Sequence, residues 1–388
     1  MGPARDETLQ PLRQFVLKIH SRCNLSCDYC YVYTMADQGW RTRPRVLSRE
    51  LREQAAARIA EHAHRHDLPE VRIVLHGGEP LLAGTAAIAD CVHTLRAALG
   101  DRTHALITVQ TNGTLLTERR VRPLADLGVR FSVSFDGVPT SLDRRRDHRG
   151  RGSHDLVLAG LRTLREPRLR DHFAGILATI DLAADPVETY EALVAQAPPT
   201  VDFLLPHGNW TTPPPGRVPG RPATPYGDWL VAVFDRWYHA PARETSVRMF
   251  DEIIRGVFGG TPEVEGLGLA APAMAVVETD GAIELSDTLR STYPGAASTG
   301  LDVWRHSFDA ALRLPAMRAQ RLGARGLPAA CRGCGVRRVC GGGLRAHRYR
   351  AGAGFDNPSV FCPDLLRLIR HIRDVLAHDV AAMLGPAR

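Results

Sequence analysis

The chain lacks any uninterrupted run of eighteen or more apolar residues, which excludes a membrane-spanning helix. Its opening residues, MGPARDETLQ, lack the basic-then-apolar pattern of a secretory signal, so a cytoplasmic location and no membrane partner are expected. Disulfides are rare in that compartment, and the 8 cysteines need another use. Lysine is nearly missing: of 49 Lys and Arg residues, Lys18 is the one lysine. The formal charge of +7 therefore rests on arginines interspersed with 42 acidic residues. No nucleic-acid-binding signature accompanies that charge, so nucleic acid is not an expected partner, and compositional bias accounts for the arginines. An internal repeat is also absent.

What is present is a repeated alternation. Six β-branched runs, FVLKIH (15–20), VRIVLHGG (71–78), HALITVQT (104–111), RFSVSFDG (130–137), FAGILATID (173–181) and VDFLLPHG (201–208), are separated by helix-length segments such as 48–66 and 84–99. Near-continuous apolar strands joined by crossovers predict an α/β fold, a partial (β/α)6 barrel whose functional groups collect at the C-terminal ends of its strands. A Pro/Gly-rich stretch at 211–225 marks a boundary region, followed by two helix-like segments at 226–240 and 247–260. AVVETDGAIELSD (275–287) reads as a hairpin turning at Asp280-Gly281. The expected division is a barrel at 13–240, connecting helices and hairpin at 241–325, and a cysteine-rich C-terminal region with a helix at 326–388.

Cys23, Cys27 and Cys30 form a C-x3-C-x2-C set directly after the first strand. With no fourth cysteine and no histidine nearby beyond His20, they do not close a zinc site; they suit an iron–sulfur cluster with one iron left open. Cys331, Cys334, Cys340 and Cys362 supply four thiolates for a second, closed cluster, and a zinc ribbon, which favours two C-x2-C knuckles, fits less well. Cys91 remains, on the apolar side of a helix, as a core residue. His62 and His66 stand one helical turn apart, but their helix looks exposed and ends in HRHDLP, so a solvated face and helix terminus is expected there rather than a ligand set.

The C-x3-C-x2-C loop, with Tyr29 before its third cysteine, resembles the radical S-adenosylmethionine superfamily, and the resemblance runs from 15 to 208. It implies S-adenosyl-L-methionine and a 4Fe-4S cluster as cofactors. HGGEP then places Gly77, Gly78, Glu79 and Pro80 toward the methionine amino group, since an ammonium suits a carboxylate and glycines allow close backbone approach. Thr111, Asn112 and Gly113 of QTNGTLL, and Ser134 and Asp136 of SVSFDG, would shape the same pocket. In peptide-modifying relatives the serine and the arginine of an HDxxR pattern hold the cofactor carboxylate. The stretch LDRRR keeps Asp143 and Arg146 but has Leu142 for the histidine, and Arg144 or Arg145 serves if the register differs.

The C-terminal cysteines resemble the SPASM extension, a C-terminal cysteine-rich auxiliary-cluster domain that typically holds two clusters. This chain departs from it, with Ser286 at a position where the family has cysteine. One auxiliary cluster is then expected, two clusters in all. Asp287 matches a position that serves as a catalytic base in related maturases. Phrases such as FVLKIHSRCNLSCDYCYVY and CGGGLRAHRYRAGAGFDNPSVFCPDL resemble the cyclophane-forming FxsB-like maturases of ribosomally made peptides. That implies a carbon–carbon crosslink between an aromatic ring and a nearby β-carbon in a precursor peptide with leader and core, driven by an external donor such as a flavodoxin or ferredoxin. The alternatives are sulfatase-type oxidation of Ser or Cys, thioether formation, or a non-catalytic iron–sulfur regulatory protein.

Overall fold

Each of the six apolar runs forms a strand in the computed structural model, which describes residues 10–138, 144–218, 220–270 and 273–384. They are β1 (Gln14–His20), β2 (Glu70–Gly77), β3 (His104–Thr111), β4 (Arg130–Ser134), β5 (Phe173–Thr179) and β6 (Thr200–Leu204). The last three stop short of the expected ends, because the residues beyond them turn away into loops; Gly137, at φ +93°, is one such turn. Four strands follow: β7 (Ser246–Val247), β8 (Met274–Val277), β9 (Ala282–Glu284) and β10 (Ser298–Asp302).

Two compact units divide the chain, and both are discontinuous. The first comprises Met1–Ser134, Asp143–Ala174 and Ala271–Arg321. Its strands run in the order β10-β9-β8-β1-β2-β3-β4. From β1 to β4 they pair in parallel, and β8 adds in parallel to the other side of β1, with Gln14 opposite Met274 and Leu17 opposite Val277. β9 and β10 continue antiparallel, the β8–β9 turn using Gly281 at φ +85° as the Asp-Gly pair predicts. Crossover helices span Arg49–Arg65, whose Ser48 cap accepts the Leu51 amide, and Thr85–Leu99. Phe15, Leu17, Ile73, Leu75, Val109, Phe131 and Val133 are buried between sheet and helices, each contributing about 1.5–3 kcal/mol. Cys91 joins that core, 1% exposed.

One expectation fails here. His62 is buried rather than solvated: its Nδ1 donates to Asp309 Oδ1 at 2.7 Å and its Nε2 accepts the Leu12 amide at 3.0 Å. His66 and Arg65 bind the same carboxylate at 2.8 and 3.0 Å. The helix face that looked exposed therefore packs on a partner far away in sequence. With both ring nitrogens of His62 engaged, the cluster is a hydrogen-bonded staple and not a metal ligand set.

The second unit comprises Phe135–Leu142, Gly175–Ala270 and Leu322–Arg388. The stretch 241–325, expected as one connecting region, is thus shared between the two units. β5, β6 and β7 pair in parallel in that order. Helices Pro225–Tyr238, Arg248–Val257 and Cys362–Leu384 enclose an aromatic core of Tyr226, Phe234, Phe250 and Phe361. Asp364 fastens the first of these helices by accepting the Tyr226 and Gly227 amides at 2.9 and 3.0 Å. Among the described residues no helix is long and apolar enough to cross a membrane.

Candidate functional site

Where β1 ends, the chain turns into the loop carrying Cys23, Cys27 and Cys30, all half-buried and in no disulfide. Local turns shape it: the Cys30 amide donates to Cys27 O at 3.3 Å and the Thr34 amide to Cys30 O at 2.9 Å. The Ser26 amide ties the loop to Arg146 O at 2.7 Å. Burial pushes the Cys23 thiol up to about 12, opposed by N–H groups of Leu25 and Asn112 that reach its sulfur at 3.4 and 3.5 Å. A thiolate made stable by a bound cation is what such a buried thiol suits. A single tetrahedral zinc ion would draw its sulfurs to about 3.8 Å of each other. Cys23, Cys27 and Cys30 offer three thiols and no fourth, a donor set that would leave a zinc ion open and suits a cluster with one uncoordinated iron.

The glycines after β2 admit the chain itself. The Gly78 amide donates to His20 O at 2.8 Å and the Glu79 amide to Arg22 O at 3.0 Å. A Cβ on Gly77 would stand 2.1 Å from His20 O, and one on Gly78 2.0 Å from the Tyr33 hydroxyl. Glu79 has no exposed surface. Its carboxylate accepts from the amides of Leu81 (2.9 Å) and Asn112 (2.8 Å) and from the Thr111 hydroxyl (2.8 Å), and burial nevertheless raises its pKa. Three of about four acceptor positions are filled, leaving room for one more donor. Pro80 begins the short 3-10 turn Pro80–Ala83 behind it. Gly113, at φ +83°, lets β3 exit beside Asn112, which also donates to Asn24 Oδ1 at 2.9 Å.

The three arginines of the RRR run face different ways. Arg145 is the buried one, donating to Asn112 O at 3.0 Å and to Ser134 O, with the Glu79 carboxylate near enough to feel its charge. Arg146 turns to Gly150 O at 2.9 Å, while Arg144 pairs with Asp28 at 2.9 Å and lies over the Tyr29 ring. The antiparallel bridge of Arg146 to Gly152 sets this alternation, pointing the neighbouring side chain inward. Leu142 and Asp143 lie outside the described residues. Ser134 Oγ accepts from Gln110 at 3.0 Å, and in the second unit Asp136 accepts the Thr179 amide at 2.9 Å.

Asp287 opens the 3-10 segment Asp287–Ser291 and is buried. Lys18 Nζ sits 2.5 Å from its Oδ2, the Tyr31 hydroxyl donates to the same oxygen at 2.8 Å, and Lys18 also meets His76 Nδ1 at 2.9 Å. Burial alone would raise the Asp287 pKa, but Lys18 and His76 outweigh it and hold the carboxyl well below the usual range. His76 is driven down to about 4 by burial and by Lys18, so its imidazole is neutral at pH 7. Arg290, 2% exposed, secures the segment by binding Glu278 at 2.8 Å and Glu284 at 2.5 Å, with Asp37 at 3.6 Å. Sequence reasoning missed Lys18, His76 and Tyr31; the signals were the isolation of Lys18 among arginines and the adjacency of the other two to HGGEP and the third cysteine.

In the second unit, Cys331 lies on the turn Ala329–Arg332, Cys340 ends Arg337–Cys340, and Cys362 starts the last helix. Burial pushes Cys340 up to about 12; the Gly342 amide opposes this, and Cys362, Cys331 and Cys334 add to it. Cys331, Cys334 and Cys362 are thus near enough for their charges to act on Cys340, a set of four thiol donors. Gly341 is forced: a Cβ would stand 1.7 Å from Gly268 O. Ser286 bonds Thr288 at 2.8 Å in the first unit.

Residues 17–193 match the family model described as the Radical SAM superfamily. It is 24% identical over 293 residues to the serine-type anaerobic sulfatase-maturating enzyme of Bacteroides thetaiotaomicron, covering 72% of this chain and 70% of that enzyme. Its fold is similar to the solved structure of native anSMEcpe with bound AdoMet and Cp18Cys peptide (TM-score 0.80, 18% identity, 96% of this chain and 100% of that one). It also resembles Streptococcus suis SuiB bound to precursor peptide SuiA (TM-score 0.57, 12% identity, 91% and 76%). The fold is the mixed α/β radical SAM fold, and the cofactors that go with it are S-adenosylmethionine and 4Fe-4S clusters.

Proposed function

We propose that this chain, built on a radical SAM domain, is a maturase that oxidises a peptide or protein side chain at its β-carbon, with Ser or Cys of the sulfatase type as the first target. The observation that carries it is the placing of an acid–base group one residue from a cluster ligand: Tyr31, next to Cys30, donates to the buried, ionised Asp287 at 2.8 Å. Similarity to the serine-type sulfatase-maturating enzyme supports the target.

Cys23, Cys27 and Cys30 would hold the open cluster, and Cys331, Cys334, Cys340 and Cys362 the auxiliary one. The remaining acceptor position of Glu79 suits the cofactor's ammonium, and Arg145 beside Ser134 suits its carboxylate. Gly77, Gly78 and Pro80 shape that end of the pocket, with Thr111 and Asn112 fixing the Glu79 carboxylate; Tyr29, Asp136 and Arg146 have peripheral parts. When bound, these groups supply a 5′-deoxyadenosyl radical that takes a hydrogen atom, and an acceptor for the second electron. Asp287 receives the proton that the substrate loses as it becomes two hydrogens poorer. Its carboxylate is always ionised at neutral pH and so available.

A second reading is the cyclophane crosslink between an aromatic ring and a β-carbon, which begins with the same hydrogen loss. Ser286 standing where the SPASM pattern has cysteine favours it. Either reading takes a precursor peptide or protein, a flavodoxin or ferredoxin as donor, and a cytoplasmic setting.

The reconstituted enzyme, incubated anaerobically with AdoMet, dithionite and either Ser- and Cys-containing probe peptides or a peptide encoded beside it, tests this. A peptide two hydrogens lighter that reacts with a hydrazide is the Ser oxidation product; Cys oxidation also exchanges sulfur for oxygen. The same mass loss without hydrazide reactivity, with fragmentation blocked between two residues, is the crosslink. Absence of 5′-deoxyadenosine under all conditions overturns the enzyme assignment.

A further inference from the structure

Arginine supplies every Lys/Arg cation in this chain except one. The exception is not at the surface, where drift toward arginine would be neutral. Lys18 is 3% exposed on β1, its ammonium 2.5 Å from Asp287 Oδ2 and 2.9 Å from His76 Nδ1. Lys18 and His76 are register partners on β1 and β2, so the parallel ladder itself sets them side by side. A guanidinium would differ here in two respects: it is a wide planar fork, and it does not give up its proton.

We propose that Lys18 is a proton-relay residue that carries protons from Asp287 to His76, acting through Asp287 rather than on the substrate. A proton accepted by the Asp287 carboxylate passes to Lys18 Nζ as Lys18 gives one of its three protons to His76 Nδ1. The carboxylate is restored, the ammonium is unchanged, and the imidazole becomes an imidazolium that loses its Nε2 proton to water. No electron moves. Gly77 O, 3.0 Å from His76 Nδ1, accepts a hydrogen bond from the new Nδ1–H and steadies the ring.

Proton affinities favour this direction. Asp287 is held well below the carboxylate range and His76 at about 4, so neither retains a proton at neutral pH. The other titratable or charged neighbours are Tyr31 and Cys30 on the thiol loop and Arg290 in the segment that Asp287 opens. Sequence distance hid the arrangement, since 269 positions separate Lys18 from Asp287.

The relay rests on the proposed proton transfer to Asp287, so its test has two arms. Holoenzyme grown on 13Cε-lysine gives a single lysine signal, which Asp287→Asn and His76→Gln each shift at neutral pH; a signal blind to both overturns the relay. That arm needs no substrate. In the second, parent, Lys18→Arg and Lys18→Met holoenzymes meet AdoMet, dithionite and a Cys-containing probe peptide from about pH 6 to about pH 9. Both variants should still form 5′-deoxyadenosine yet lose about tenfold or more in product per deoxyadenosine, with no pH at which Lys18→Arg recovers. Normal coupling in Lys18→Arg shows that charge suffices and overturns the relay. Failure of the parent to modify the peptide sinks the proposed activity instead, and the labelling arm then decides the relay alone.

Discussion

Replacing Arg290 with methionine should cost this protein more than almost any other single substitution. The side chain is 2% exposed and binds Glu278 at 2.8 Å and Glu284 at 2.5 Å, with Asp37 at 3.6 Å. Arg43 serves Glu278 and Glu284 from their other oxygens. Methionine keeps much of the volume but leaves three buried carboxylates against one guanidinium. Removing one partner of a buried pair costs about 3–5 kcal/mol. At about 2–4 °C per kcal/mol for a unit of this size, the midpoint of thermal unfolding should fall by about 6–20 °C. The sign of the pH effect follows from Glu284, whose pKa burial raises and Arg290 opposes. Without Arg290 it rises further, so the folded state binds a proton the unfolded chain does not. Stability is then gained on the acid side and lost as pH rises through the folded pKa: the deficit is largest near about pH 8 and shrinks toward about pH 5. Adding Glu284→Gln should return at least half of the loss. Far-UV circular dichroism at a fixed scan rate measures both. A drop below about 2 °C, or a deficit indifferent to pH, would refute the reasoning.

Anaerobic reconstitution should give about eight irons per chain, and Cys23, Cys27 and Cys30 changed together to Ala should leave about half; complete iron loss in a folded variant would end the two-cluster assignment. Arg145→Gln should weaken AdoMet binding by about tenfold or more, the worth of one charge-assisted contact, while Arg146→Gln leaves titration calorimetry nearly unchanged. The reverse outcome would return the carboxylate contact to Arg146. Gly78→Ala must displace Tyr33 or the Arg22 carbonyl, 2.0 and 2.5 Å from the new carbon, and should lower the unfolding midpoint by an amount matching about 1–3 kcal/mol. An unchanged midpoint would mean that the loop yields freely.

Local patterns carried the strands and the cysteine sets. Alternating apolar runs are dictated within a few residues of themselves, and the Asp280-Gly281 turn needs only its own backbone conformation. Long-range partners were the hidden part. His62 looked solvated because Asp309, its partner, lies 247 positions on. The Arg145 and Arg146 register depends on a bridge to Gly152 and on carbonyls of two other strand ends, none of which the RRR run reveals. The resemblance singled out Asp287, but its burial and its ion pair with Lys18 were hidden, since no local spacing relates them.

The parallel pairing of β1 with β8 bears on how the protein is made. Leu17 waits for Val277, about 260 residues later, which at roughly 5–20 residues per second means about 13–52 s of synthesis with one edge of β1 bare. An open, apolar strand edge is a template for pairing with other chains. The stretch 17–193 that matches the radical SAM model ends well before β8 begins, so that stretch expressed alone leaves the same edge uncovered permanently. Truncated versions should therefore aggregate where the whole chain does not, and slowing translation relative to folding lengthens the exposure instead of relieving it. The sequence that closes the sheet is also the sequence that delivers Asp287, so the nascent chain seats Asp287 beside Lys18 and covers the open edge of β1 in one event.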